Sequence, residues 1–494
     1  MLDLIQRHAK LSPERPALFF NGRWYSYGEL DLRAVRLANR LREAGVTAGD
    51  RVGILALNHL AHFDLMLAAP KLGYIHVPFN HRLSTAELAR MAAQIEPRLL
   101  FADGRHFANA QALGVPVLAL ESYSDWLEPA GDEPPPAPEL DQESTWMILF
   151  TGGSTGQPKG AMLSYRQLLL NARLTADTWQ LDDQDCAIQC TPCFHAAVNV
   201  LSLPLLHCGG RVVLMSHFDA DEYLGHVALH RATVLFMVPT MYQMLIDFED
   251  FEEADLSSVR WAISGGAPCP EPVRQAFVER GVHFKQGYGM TEAGVNCFNI
   301  EIDEADLKPD SVGRPMPRME MVIRNPDGEP VVPGAVGELT LRGPMVFSGY
   351  WRQPEETAQA LRDGWLWTGD LARVGSDGHT CIVGRRKEMY ISGGENVYPA
   401  EVEAALYRCE GVLECAVTAL DDPRWGEQGL AALVLQDGVH RDGESLRQEL
   451  RPYLAAYKLP RWFYFLRALP KTGAGKIDKA SLRRLYEHRE ASRG

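Results

Sequence analysis

The chain has 494 residues, 46% of them hydrophobic and 23% charged, with a formal net charge of −15. That length suggests roughly two to four domains, and the acidic balance disfavours non-specific binding to nucleic acid or anionic membranes. No run reaches the roughly 18 apolar residues of a membrane-crossing helix, and the charged N-terminus MLDLIQRHAKLSPERPALFF has no separate apolar stretch of a secretory signal.

Ser26 and Glu29 have capping-box spacing and predict a helix. Leu30, Ala34, Leu37, Ala38 and Leu41 share its apolar face, and Gly45 closes it. A strand over 51–57, a helix over 62–72 and a strand near 75–78 follow. This alternation predicts an α/β layered fold with largely parallel pairing. The Pro-rich acidic stretch 128–140, EPAGDEPPPAPEL, reads as an exposed linker between subdomains. From about Val336 short strands alternate with Gly turns, which predicts a small β-rich unit. After Arg385 an α+β pattern runs to the C-terminus, with a helix beginning near Tyr398.

Nine cysteines, an odd number, fit free thiols in a reducing cytoplasm. Cys186, Cys190 and Cys193 have the spacing of an iron–sulfur ligand set. Their apolar strand context instead predicts small buried hydrophobes.

The strongest local signal is FTGGSTGQPKG, 150–160. Glycines let backbone N–H groups turn toward an anion. Ser154 and Thr155 add hydroxyls and Lys159 adds positive charge, which together make a phosphate cradle. It is not a Walker A loop, because Pro158 and Gly160 flank Lys159.

Further segments follow in order: PCFHAA (192–197), SGGAP (264–268), QGYGMTEAG (286–294), GELTLRGP (337–344), WLWTGDLARV (365–374), GRRKEMYISGGENVYP (384–399) and PKTGAGKID (470–478). With the Gly-rich loop they resemble the adenylate-forming superfamily of acyl-CoA synthetases, luciferases and peptide-synthetase adenylation domains, across nearly the whole chain. The resemblance implies a large N-terminal domain, 1–386, with two α/β subdomains and a β-rich one. A small mobile α+β domain, 387–494, would follow.

It also implies ATP, Mg²⁺ and coenzyme A as reactants and cofactor. Thr151, Gly152, Gly153, Ser154, Thr155, Gly156 and Lys159 would cradle phosphates. Gly265, Gly266, Ala267, Gln286, Gly287, Tyr288, Gly289 and Met290 would line the nucleotide and acid pocket, with Tyr288 stacking on adenine. Thr291 would bond phosphate and Glu292 would hold Mg²⁺. Asp370 and Arg385 would take the ribose. Lys476 would join carboxylate to α-phosphate during adenylation, because a cation reaching both groups stabilises the transition state. Lys387 would be the hinge, and Gly393 and Gly394 would meet the pantetheine arm.

The pocket segments are small and apolar, which suits a fatty or aromatic acid. His195 stands where amino-acid adenylating domains usually carry an Asp, so no carboxylate is placed to pair a substrate ammonium. It is expected as a pocket wall or gate beside the reacting groups. Only 18 residues follow Lys476, so the thiol acceptor is expected from outside. Coenzyme A is the first choice and a separate acyl carrier protein the alternative. A monomer or homodimer is expected.

Overall fold

The structure is a computed structural model that describes residues 3–152, 158–471 and 477–491. Met1–Ala267, Arg280–Met321 and Leu341–Trp367 form one unit; Pro268–Glu279, Val322–Thr340 and Thr368–Gly494 form the other.

In the first unit a six-stranded sheet has the order Val117–Ala119, Leu99–Ala102, Arg51–Leu55, Ile75–Pro78, Thr145–Gly152, Pro158–Ser164. Every pair is parallel except the last. The helix Tyr27–Glu43 carries the expected capping box and buries Leu30, Ala34, Leu37, Ala38 and Leu41. Gly45 follows with φ of 79°. Two boundaries shift from expectation. The strand stops at Leu55, and just beyond it the Leu57 N–H donates to the Asp103 carboxylate, 2.9 Å away. The next helix starts earlier, at Leu60, because the His59 ring accepts from the Ala61 N–H at its first turn.

The stretch 128–140 is mostly exposed and irregular, but it does not link subdomains. It joins the helix Tyr123–Leu127 to the strand Thr145–Gly152 within the same sheet system. Asn39 pins it by donating to the carbonyls of Gly131 and Glu133, at 2.9 and 2.8 Å. Its composition records exposure, and the crossover is set by a buried amide far away in sequence.

The second sheet system of this unit holds Arg23–Ser26, Pro16–Phe20, Arg211–Leu214 and Cys186–Gln189 in that order, then Val234–Met237, Trp261–Ser264 and His283–Gln286. The Thr233 N–H donates to the Cys186 carbonyl (2.9 Å) between the two groups of strands. Cys186, Cys190 and Cys193 are buried free thiols. Burial pushes Cys186 up to about 11 and Cys190 up to about 12, so they stay neutral and pack as apolar groups.

The β-rich stretch appears as the neighbouring strands Gly337–Arg342, Trp365–Val374 and Thr380–Arg385, of which 337–340, 368–374 and 380–385 fall in the second unit. Further along, strands Tyr390–Ser392, Glu395–Val397, Val412–Asp422, Gly426–Leu435 and Trp462–Phe465 form a sheet. The helix Pro399–Leu406 packs on it through Val402, Ala405 and Leu406, with Leu446 and Leu450 of Gly443–Leu450 in the same core. Among the described residues no helix is long and apolar enough to cross a membrane.

Candidate active site

The strands Thr145–Gly152 and Pro158–Ser164 are antiparallel, with Thr151 opposite Lys159 and Gly152 opposite Pro158. The Gly-rich loop therefore closes a hairpin, whereas a Walker A loop leads from strand to helix. Gly153, Ser154, Thr155 and Gly156 lie outside the described residues. The hairpin stem still fixes Thr151 and Lys159 across from each other.

Met237, Ser264 and Gln286 are aligned partners at the carboxyl ends of adjacent parallel strands. SGGAP and QGYGMTEAG thus emerge side by side, where ligands bind in open parallel sheets. The Gly287 N–H donates to the Ser264 carbonyl at 2.7 Å, tying the two segments together. Close approach explains the glycines. A Cβ on Gly289 would come within 1.6 Å of the Val295 carbonyl oxygen, and one on Gly265 within 3.2 Å of the Phe236 ring. Gly266 has φ of 84°, and Ala267 follows it.

Residues 286–291 are half-buried. The Tyr288 ring meets Phe298 edge-on at 5.6 Å, and its carbonyl accepts from the Cys297 N–H. After extended Met290, Thr291–Ala293 forms a single tight turn that buries Glu292. Glu292 Oε1 accepts from the Tyr350 hydroxyl at 2.8 Å and from Thr151 Oγ1 at 3.3 Å. Thr151, from the phosphate loop's stem, and Glu292 are thus joined directly. Lys159 is ion-paired with Glu356, and its Nζ lies 5.3 Å from the centre of the Tyr350 ring.

His195 is half-buried, with its ring 4.4 Å from that of Phe194. The preceding turn is fastened by Asn58, which donates to the Thr191 carbonyl (3.1 Å) and accepts from the Cys193 N–H (2.8 Å). Phe194 also meets His81 edge-on at 5.0 Å. Burial brings His81 down to about 4, so its imidazole is neutral at physiological pH.

In the second unit Asp370 and Arg385 are cross-strand partners, and Arg385 Nε lies 2.8 Å from Asp370 Oδ1. Asp370 is buried while Arg385 reaches solvent. Glu338 holds the turn beside them: its Oε1 accepts from the Gly369 N–H (3.1 Å) and its Oε2 pairs with Arg386 at 3.2 Å. Lys387 is exposed. It lies in a turn closed by the Glu388 N–H on the Arg385 carbonyl. Gly393 and Gly394 form the two-residue loop of the hairpin Tyr390–Ser392 and Glu395–Val397, with φ of 62° and 89°. Left-handed conformations at both positions are what such a hairpin needs. Gly393 is further restricted, since a Cβ there would meet the Trp425 ring at 2.5 Å. Lys476 lies outside the described residues.

The model of the AMP-binding enzyme family matches residues 5–351, and that of the AMP-binding enzyme C-terminal domain matches 401–476. The chain belongs to the AMP-binding enzyme family. It is 42% identical over 481 residues to feruloyl-CoA synthase of an Amycolatopsis species, covering 97% of this chain and 98% of that protein. To indoleacetate–CoA ligase of Aromatoleum aromaticum it is 36% identical, covering 98% and 97%. ATP-bound MatB of Rhodopseudomonas palustris superposes with a TM-score of 0.91 at 31% identity, over 98% of this chain and 99% of that one.

The protein is an AMP-forming acid–thiol ligase: it converts a carboxylic acid to acyl-AMP with release of pyrophosphate, then to the acyl-CoA thioester. ATP, Mg²⁺ and coenzyme A are its reactants and cofactor. The residues of this AMP-binding enzyme fit Mg²⁺, a hard cation that prefers oxygen ligands. Glu292 offers a buried carboxylate beside the stem of the phosphate loop, and its Oε2 takes no hydrogen bond from any described residue.

Tyr350, Glu356 and Asn58 escaped the sequence reading. Each acts by fixing another group, and none stands inside a Gly-rich or charged motif that advertises it. The signal nearest to them is SGYWRQPEET, where an aromatic pair precedes a helix start rich in carboxylates.

Proposed function

We propose that the acid activated here carries an aromatic ring a short chain away from its carboxylate, as in 3-arylpropenoic acids. The observation that carries this reading is the 42% identity to feruloyl-CoA synthase along 97% of the chain. The site's chemistry supports it. Gly265 and Gly266 keep the ends of their segment thin, with the Phe236 ring and the Val238 side chain as the nearest neighbours a Cβ would meet. Thin backbone beside apolar walls suits a flat ring.

In this reading the chain's own residues divide the work. Thr151, Gly152, the 153–156 loop, Lys159 and Thr291 hold phosphates. Tyr288 stacks on adenine, with Gln286, Gly287, Gly289 and Met290 around it, and Asp370 with Arg385 takes the ribose. Glu292 holds Mg²⁺, which supplies positive charge to the phosphates when bound. Lys476 stabilises the charge that builds as carboxylate meets α-phosphate. His195 walls the acid's reacting end. Gly393 and Gly394 meet the pantetheine arm. Residues 387–494 act as a mobile domain that turns about Lys387 between the two half-reactions. We place the protein in the cytoplasm, a reading supported by nine free cysteines.

Pyrophosphate release with ferulate, cinnamate, indoleacetate, benzoate and hexanoate tests the acid class. Ferulate, cinnamate and indoleacetate should exceed hexanoate by at least about tenfold in kcat/KM, since a pocket shaped for a flat ring discriminates by fit. Equal or better turnover of hexanoate overturns the proposal. Thioester formation with coenzyme A against an isolated carrier protein tests the acceptor on the same preparation.

A further inference from the structure

We propose that Tyr350 is a positioning residue for the metal carboxylate: its hydroxyl locks one oxygen of Glu292 so that the other faces the cation. The proposal rests on the Mg²⁺ role assigned to Glu292 above.

Both donors that reach the Glu292 side chain go to the same atom. The Tyr350 hydroxyl lies 2.8 Å and Thr151 Oγ1 lies 3.3 Å from Oε1. Oε2 takes no hydrogen bond from any described residue. A carboxylate held this way has a fixed torsion and one open oxygen, the arrangement of a ligand oriented by its outer partner. The tyrosine is suited to the task. The ring is buried, at 9% exposure, which keeps water from competing for the bond.

The backbone around Tyr350 is clamped to the same parts. The Phe347 N–H donates to the Glu292 carbonyl at 2.8 Å, so 347–350 grips both the main chain and the side chain of Glu292. On the other side the segment runs along the strand that leaves the phosphate loop. The Met162 N–H donates to the Gly349 carbonyl (2.9 Å) and the Trp351 N–H to the Gly160 carbonyl (2.7 Å). The Tyr350 N–H donates to Thr357 Oγ1 at 2.8 Å, anchoring the segment to the helix Pro354–Ala360. That helix also supplies Glu356 to Lys159. The tyrosine thus sets metal ligand and loop stem in one register, with Lys159 above its ring.

The test is Tyr350→Phe, which removes only the hydroxyl. Mn²⁺ binding to the complex of enzyme with α,β-methylene-ATP is followed by electron paramagnetic resonance. Loss of an outer partner is expected to weaken Mn²⁺ binding about tenfold. The Mg²⁺ concentration for half-maximal adenylation should rise in step, while the KM for the acid stays put. Unchanged Mn²⁺ affinity overturns the proposal. Glu292→Gln separates the two readings: normal Mn²⁺ affinity in that variant sinks the metal role of Glu292 itself. In the double variant the phenylalanine should add no further loss, and an additive loss shows that Tyr350 does not act through Glu292. If the phenylalanine variant fails to fold, 4-fluorophenylalanine at 350 keeps the size of the tyrosine and removes the donor. Mn²⁺ affinity should then fall about tenfold as well, and unchanged affinity overturns the idea.

Discussion

The residues assigned to the nucleotide in the first unit and those assigned to the second half-reaction are built on opposite plans. In the first unit every assigned glycine with a close neighbour meets something rigid. Gly289 faces a backbone carbonyl, Gly287 faces Ile263 and the Ser264 carbonyl, and Gly265 faces the Phe236 ring. The charges are already paired: Lys159 with Glu356, and Glu292 with two hydroxyl donors. In the second unit Gly394 has nothing within 4 Å of a would-be Cβ, Lys387 is exposed, and Ile391 is 48% exposed. Preorganised dipoles stabilise developing charge best when they need not move. Delivery of a second substrate needs an open, presentable surface. Gly393 keeps the contrast from being absolute, since a Cβ there would meet the Trp425 ring at 2.5 Å; what sets the second group apart is the open Gly394 beside exposed Lys387 and Ile391.

The largest expected effect crosses this division. Lys476 is assigned to the adenylation chemistry although its sequence neighbours belong to the open half. Lys476→Ala should lower ATP–pyrophosphate exchange by about 10²–10³, the loss expected on removing one strong charge-stabilising donor. Near-normal exchange would return all of the adenylation chemistry to the first unit. Gly289→Ala tests the crowded side. The methyl group has to displace backbone, which costs about 1–3 kcal/mol as overpacking. The expected result is a lower melting temperature together with weakened ATP binding. A variant with normal stability and normal ATP affinity would mean that the crowding at 289 does not matter.

The division also explains what could be read in advance. The capping box at Ser26, the strand Ile75–Pro78 and the β-rich segments after 336 were legible because their signals are local. The motif segments stand out in the sequence because glycine, hydroxyl and charge cluster in short runs. Two things were not legible. The 128–140 stretch looked like a linker because Pro and acid mark exposure, whereas its path depends on Asn39, some ninety residues away, a separation of 92 for Gly131. The partners Tyr350, Glu356 and Asn58 were invisible because each works at long range, with Tyr350 58 residues from Glu292 and Lys159 197 from Glu356. A single residue gives no sign that a distant carboxylate or turn needs it.

Lys387→Pro sharpens the comparison from the open side. Proline fixes φ and removes an N–H, so it should freeze the exposed turn in one arrangement. ATP–pyrophosphate exchange should stay within about twofold of wild type, while acyl-CoA formation falls at least about tenfold, as expected when a hinge residue is changed. Measuring both half-reactions on one preparation decides the matter. Equal loss of both would show that the turn is part of the adenylation machinery and that the two plans are not separable there.

A last test probes the rigid side through a buried charge. Lys285, one residue before Gln286, is 3% exposed, and its Nζ lies 3.0 Å from Asn299 Oδ1. Burial brings it down from 10.5 to about 8, and Glu301 opposes that shift. The indole rings of Trp179 and Trp261, with centres 5.2 and 5.1 Å from Nζ, also favour the cation. Between about pH 8 and 10.5 the unfolded chain keeps a proton here that the folded chain has released. More protons on the unfolded state mean that stability rises with pH through that window, by at most about 1.4 kcal/mol per pH unit. Below pH 8 the full penalty of holding a buried ammonium remains. Lys285→Met keeps the volume and removes the charge, so its unfolding free energy should lack this upward contribution when compared with wild type from pH 7.5 to 10.5. Identical slopes in urea melts of the two proteins would mean that the rings and Asn299 hold the ammonium as comfortably as water does. The rigid half would then carry its buried charge without cost, and tight packing alone would distinguish it from the open half.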